Sequence, residues 1–427
     1  MTAFLLSLAI FPLVGLATAL LARFPLPPTR ASRAAFLYLL GLGVEGAFLY
    51  ALGALRVPLN AIAFAALPVI ALPVIFVRRN RATLVASRCE QLQILASIVF
   101  AVPLVVMLFA TAIIPTRDYD GRVTWLPKAR AVALEASIAG PFFHGERGLN
   151  LHNHYPLLLP LDVGAVMNLS GDTRNEAGRW IYLFAAIAGL VVMRGFLHAW
   201  FASTGAWIAA AVAWLPLLTT IEGGALAAYN DFTLAALLGV AVLYLIEGHA
   251  LVAGLFAAFM ILTKNEGTAL ALAVLVAAIV ARRFRWPMLI PVAIAEVIVV
   301  TARKLVLPAY DERYEVLFAT LPRSLSRVPE AMTAIVRHAG EFREWGPFWI
   351  VVALAIVAGL FVARNRQFAI PLVAMVLAIG AYVAALTVTS WSIADLAPVA
   401  VNRLLAQLLV PGATVIATVV HALHRSR

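Results

Sequence analysis

The chain has 427 residues, 63% of them hydrophobic and 12% charged, with a formal net charge of +11. About 269 apolar residues exceed what a soluble chain of this length carries, and so few charges cannot coat two or three soluble domains. An ordinary water-soluble enzyme and a disordered chain are both excluded, and at roughly 20 apolar residues per crossing the composition is that of a polytopic helical membrane protein.

In chain order, apolar runs fall at about 3–22, 34–54, 60–77, 92–114, 180–198, 205–221, 232–247, 250–263, 268–281, 287–306, 347–363, 367–390 and 399–421. These predict an all-α transmembrane bundle of about 13 spans, because backbone groups facing lipid must pair within their own segment. The first run has no basic residue before it and is long for the apolar core of a secretory signal, which favours a span. The runs 250–263 and 268–281 are short, and they are read as a hairpin. The single cysteine, Cys89, excludes an intrachain disulfide and a cysteine metal site.

Basic residues alternate between the connections. Arg23, Arg30, Arg33, Arg78, Arg79, Arg81, Arg88, Arg194, Arg282, Arg283, Arg285, Arg364, Arg366, Arg425 and Arg427 fall on one side, accompanied there by two acids, Glu90 and Glu247. The other side holds 17 basic and 17 acidic residues, and Glu45 and Glu296 lie within spans. The positive-inside rule then makes the arginine-rich side cytoplasmic, with the N-terminus outside and the C-terminus inside. The excess charge is an orientation signal, so no nucleic-acid partner is needed to explain it.

Two outer segments are long, 115–179 and 307–346, and are expected to carry short amphipathic helices. Polar residues collect on this outer face, where each is costly unless paired or hydrated. Asp118 and Asp120 follow the fourth span, with Lys128 beyond Trp125. A carboxylate at a helix end can serve as a general base, and a solvated helix end with local ion pairs is the alternative. His152, His154 and Tyr155 form a proline-bounded group, read as a hydrated loop in preference to a metal site because no third ligand stands at motif spacing. Asp231 opens a span, as a site residue or as a helix cap. Lys264, Asn265 and Glu266 fill the turn of the short hairpin. Arg403 lies a turn inside apolar sequence near Trp391, Asp395 and Asn402, where it snorkels outward or binds an anion such as phosphate.

The order of these motifs resembles the GT-C glycosyltransferase superfamily, polytopic enzymes that take a sugar from a polyprenyl-phosphate carrier. The resemblance is carried by Asp120-x4-Trp125-x2-Lys128-Ala129, Tyr155-Pro156 with Pro160, Tyr229-Asn230-Asp231, Leu262-Thr263-Lys264-Asn265-Glu266-Gly267 and Asn402-Arg403-Leu404-Leu405. It implies three extra N-terminal helices over 1–91, a GT-C-like core over 92–306, an outer loop over 307–346 and C-terminal helices over 347–427. It also implies transfer of a sugar from a polyprenyl-phosphate donor to an acceptor hydroxyl on a glycan, lipid or protein, at the outer face of the cell's inner (plasma) membrane and with inversion. Asp120 would be the base and Asp118 its substitute or partner. Lys128, His152, His154, Tyr155, Asp231, Lys264, Asn265, Glu266 and Arg403 would bind or orient substrate. No cofactor is required by the residues, although some relatives use a divalent metal. A ligase or polymerase acting on lipid-linked glycans, and a transporter or flippase, are the rival readings.

Overall fold

The computed structural model describes residues 2–78, 94–116, 118–144, 152–153, 155–218, 221–307, 317–363 and 365–425. Among them the chain is helical throughout, with no strand. The helices are α1 (Thr2–Ala22), α2 (Arg30–Ala54), α3 (Ala61–Arg78), α4 (Ile94–Ile113), α5 (Leu126–Glu135), α6 (Pro141–His144), α7 (Leu158–Ser170), α8 (Asn175–Val212) and α9 (Leu215–Leu218). They continue as α10 (Asn230–Glu247), α11 (Ala250–Thr263), α12 (Glu266–Val280), α13 (Leu289–Leu305), α14 (Leu317–Ala339), α15 (Phe342–Trp345), α16 (Phe348–Val362), α17 (Arg366–Val388), α18 (Ile393–Ala406) and α19 (Leu409–Arg425).

Seven of the described helices are long and apolar enough to cross a membrane: α1, α2, α3, α4, α8 with α9, α10 and α17. An eighth is present if α18 and α19, bent by 53° at their junction, are one broken span. This is fewer than the thirteen runs in the sequence. Apolarity marks a run as buried or lipid-facing without making it long enough to cross. At 1.5 Å per residue, α11, α12 and α16 reach only about 21–23 Å, short of the roughly 30 Å hydrocarbon layer.

The break expected between the fifth and sixth runs is present inside α8, where Ala202 leaves the helical region at φ 48° and ψ −128°. The second outer segment differs from expectation, because α14 is a 23-residue helix. It packs on α17 and α18, and Arg327 ties it to the carbonyls of Thr387, Thr389 and Trp391. The expected interfacial stretch around Trp125 is mostly packed inward: α5 lies on α7 and buries Leu126, Lys128, Ala129, Val132 and Ala133.

Helix α10 sits at the centre. Every residue from Asn230 to Ile246 is buried, between α8, α11, α12, α17 and α19. A helix apolar on all sides has no solvent face to present, so it becomes the core of the bundle. At the periphery, α4 and α13 leave Leu95, Ile98, Phe109, Ile290 and Val297 exposed, as helices against lipid do. The N-terminal helices are joined to this core. α1 and α2 touch backbone to backbone at Gly15 and Gly41, where a Cβ would strike the carbonyls of Leu37 and Phe11, and α2 packs in turn on α7, α8 and α13. Small residues permit this approach and the dispersion contacts it brings.

Candidate functional site

The ends of five helical segments meet at one end of the bundle, and each brings at least one charged or polar group. Asp231 lies in the first turn of α10. Lys264 terminates α11, Glu266 begins α12, and Arg403 and Gln407 close α18. Asp120 stands immediately before a π-helical turn, Gly121–Trp125, that follows α4. Such turns widen the helix and commonly accompany functional residues. Gly121 is required here: a Cβ would run into the Ala227 carbonyl oxygen, so only glycine lets Asp120 approach the 227–231 strip.

Asp231 is the hub. Its Oδ1 meets Lys264 Nζ at 2.9 Å and accepts from Gln407 Nε2 at 2.7 Å, while its Oδ2 accepts from Arg403 Nε at 3.0 Å. With a side chain only 2% exposed, this carboxylate is sustained by full compensation of its charge and lone pairs. Arg403 bridges two acids, reaching Asp120 Oδ2 through Nη1 at 2.7 Å. Its guanidinium also lies over the Tyr229 ring, 4.5 Å from the centroid. The Tyr229 hydroxyl accepts from the Asp120 backbone N–H at 3.1 Å, closing a loop through the same residues. Lys264 is shared with Glu266 Oε1, also at 2.9 Å, and the other Glu266 oxygen is buried without a hydrogen-bond partner among the described residues.

Around this core, Asn230 donates to the Thr263 carbonyl at 3.0 Å and the Tyr382 hydroxyl donates to Gln407 Oε1 at 2.9 Å. Asn265 accepts from Arg303. Asn402 accepts from Trp345 Nε1 at 3.0 Å and donates to Glu341 Oε2 at 3.3 Å, which joins α18 to α15. The result is a pre-set pair of cations, Lys264 and Arg403, held apart by a buried acid, with Asp120 at the rim and a quarter of its side chain exposed. Chemically it offers fixed positive charge beside one accessible carboxylate.

Asp120, Asp231, Lys264, Glu266 and Arg403 are therefore brought together, and Asn265 lies in the turn between them. Asp118 makes no ion pair among the described residues, and burial raises its carboxyl above the usual carboxylate range. Lys128, His152 and Tyr155 form another group: the Lys128 ammonium donates to the His152 carbonyl at 2.6 Å and sits 5.1 Å from the Trp125 ring centre. Trp125 stacks on Tyr155, which stacks on His152. His154 lies outside the described residues. Asp395 pairs with its own N-cap, Ser392, and starts α18. Sequence reading missed Gln407, Tyr229 as a ring under Arg403, and Tyr382. Gln407 was the most accessible of these, since it stands four residues from Arg403 and a helix places such residues on one face.

Among the described residues, no group of three or more His, Cys, Asp or Glu side chains gathers close together. The three acids of the network each face a side-chain cation, which is not the oxygen cage of a divalent ion. A surface cleft lined by Phe4, Ala112, Asp172, Arg174, Glu176 and Trp180 shares no residue with the network. Comparison with protein-family models, curated proteins and solved structures finds no significant match.

Proposed function

We propose that the protein is an integral membrane glycosyltransferase of GT-C type. On this reading it moves a sugar from a polyprenyl-phosphate donor to an acceptor hydroxyl at the extracytoplasmic face of the inner (plasma) membrane. The observation that carries the reading is the Asp120–Arg403–Asp231–Lys264–Glu266 network, five ionisable side chains drawn from distant parts of the chain to one end of an apolar bundle. Ions at such depth are costly and mark function by default. The alternation of arginines between the thirteen apolar runs of the sequence would put this end of the bundle, and the N-terminus, outside.

In the reaction, the acceptor hydroxyl oxygen bonds to the anomeric carbon as the bond from that carbon to the phosphate oxygen breaks. The hydroxyl proton passes to Asp120, and the electron pair leaves with the polyprenyl phosphate. One displacement inverts the anomeric centre. Lys264 and Arg403 supply charge for the departing phosphate, and fixed cations act strongly because they need no reorganisation as charge develops. Asp231 and Gln407 position those cations. Asp118, with its raised carboxyl, is the second acid near the acceptor.

The test is donor cleavage. Purified protein in lipid vesicles is incubated with a labelled polyprenyl-phosphate sugar and an acceptor fraction from the cell envelope, and lipid phosphate release is followed. The expected result is release coupled to appearance of label in the acceptor. Movement of intact donor across the vesicle with no bond cleavage would replace this reading with the flippase reading.

A further inference from the structure

A second group of acids lies deep between helices that contribute nothing to the ion-pair network. Glu45 on α2 is 1% exposed and Asp162 on α7 is fully buried, and the two lie within electrostatic reach of each other. None of their four carboxylate oxygens has a hydrogen-bond partner among the described residues. The hydroxyl of Tyr182 on α8 is also buried and unpartnered among the described residues, and that of Tyr38 on α2 is buried with Ser7 as its neighbour. Gly46 makes room for the pair: a Cβ there would stand 2.8 Å from Asp162 Oδ2 and 2.6 Å from Leu158, so the carboxylate rests against the α2 backbone one residue from Glu45.

Two ionised carboxylates without donors cannot persist in an apolar interior, where each uncompensated charge costs several kcal/mol or more on an order-of-magnitude scale. In the ion-pair network Lys264 and Arg403 solve that problem. Here no side-chain cation among the described residues pairs with either acid, and Arg303 on α13 donates to Asn265. The pair offers four carboxylate oxygens on α2 and α7, and the Tyr38 and Tyr182 phenols stand on α2 and α8, helices that pack on one another. Hard oxygen donors select hard cations.

We propose that Glu45, Asp162, Tyr38 and Tyr182 form a binding site for a small hard cation, whose charge neutralises the acids and fastens α2, α7 and α8 together. The chemistry that fits is a compact metal cation on carboxylate oxygen, such as Na⁺ or Mg²⁺. The site is independent of the transferase reading and stands or falls without it.

The experiment is thermal unfolding of the purified full-length protein in detergent, with two arms. In one, NaCl, MgCl₂ and choline chloride are compared at equal ionic strength. In the other, pH is varied from about 5 to about 9 in choline chloride. A Tm shift of several degrees that is specific to Na⁺ or Mg²⁺, and that disappears in Glu45→Gln and Asp162→Asn, assigns a metal ion. A Tm that falls as pH rises with no ion specificity, flattened in the same variants, shows that the acids are simply protonated and overturns the proposal. Wild type that responds in neither arm, or variants that respond as wild type does, overturn the proposal. If an amide variant fails to fold, Tyr38→Phe and Tyr182→Phe carry the test. They keep both charges and remove neutral ligands, so the response must weaken, and an undiminished response in both also overturns it.

Discussion

Asp231 accepts from three donors inside the bundle, and that count sets what its replacement does. Asp231→Asn removes the charge facing Lys264 and Arg403 and leaves two buried cations short of a partner, a change expected to cost about 3–5 kcal/mol of stability. Gln407→Leu removes one neutral amide and should cost less, about 1–3 kcal/mol. Chemical denaturation of both variants in the same detergent checks the order, and equal losses would contradict the central place given to Asp231. Arg403→Lys keeps the charge but cannot bridge Asp120 and Asp231 in one plane, so donor cleavage should fall while melting changes less than in Asp231→Asn.

At the surface, Arg174 beside Asp172 lowers that carboxyl to about 2. A depressed folded-state value stabilises the fold above the unfolded carboxylate range and loses that contribution as pH falls towards 2. Arg174→Ala should therefore flatten the acid limb of stability slightly, since the pair is exposed. Asp118 has the opposite sign. Burial disfavours its ionised form, so Asp118→Asn should melt no lower than wild type at neutral pH, and a clear loss there would show that its charge has a partner.

These residues also mark what the sequence can disclose. Asp120, Asp231, Lys264, Glu266 and Arg403 stood out because a charge in apolar sequence must be explained. Gln407, Tyr229 and Tyr382 carry no such signal, because a neutral polar side chain is cheap enough to occur anywhere. Lys128, the cation expected to meet substrate, is buried against Trp125 and the His152 carbonyl, a placement that depends on how distant segments fold together.

At the scale of elements, the local geometry of the π-helical turn decides whether Asp120 reaches Arg403. Gly121→Ala forces the turn away from the Ala227 carbonyl and should separate the two side chains, lowering donor cleavage with only modest change in melting. Activity equal to wild type in that variant would mean that Asp120 need not contact Arg403. The helical segments themselves were legible from apolar runs and their flanks. Their lengths were legible only in part: the short runs at 250–263 and 268–281 match α11 and α12, whose turn carries Lys264 and Glu266 beside Asp231, whereas the total of thirteen spans did not survive. The break at Ala202 followed from the polar stretch around it, whereas the 53° bend between α18 and α19 lies just after Arg403 and Gln407, both of which bond Asp231, and a single apolar run gave no sign of it.

For the whole molecule, the distribution of arginines predicts a C-terminus in the cytoplasm and the ion-pair network on the opposite side. A reporter fused after Arg427 that is active only in the cytoplasm should be active, and one active only outside should be silent. The network and the arginine-rich connections would then face different aqueous phases, as a transferase using a carrier on the outer leaflet requires.

The most direct measurement is turnover of polyprenyl-phosphate sugar by purified Asp120→Asn alongside wild type, with melting recorded on the same samples. The account predicts that wild type transfers the sugar and that the variant loses about 10²–10⁴-fold in rate, the usual contribution of a positioned base. Its fold should stay close to intact. Turnover by the variant at the wild-type rate, or no cleavage of the donor by folded wild-type protein, would contradict it.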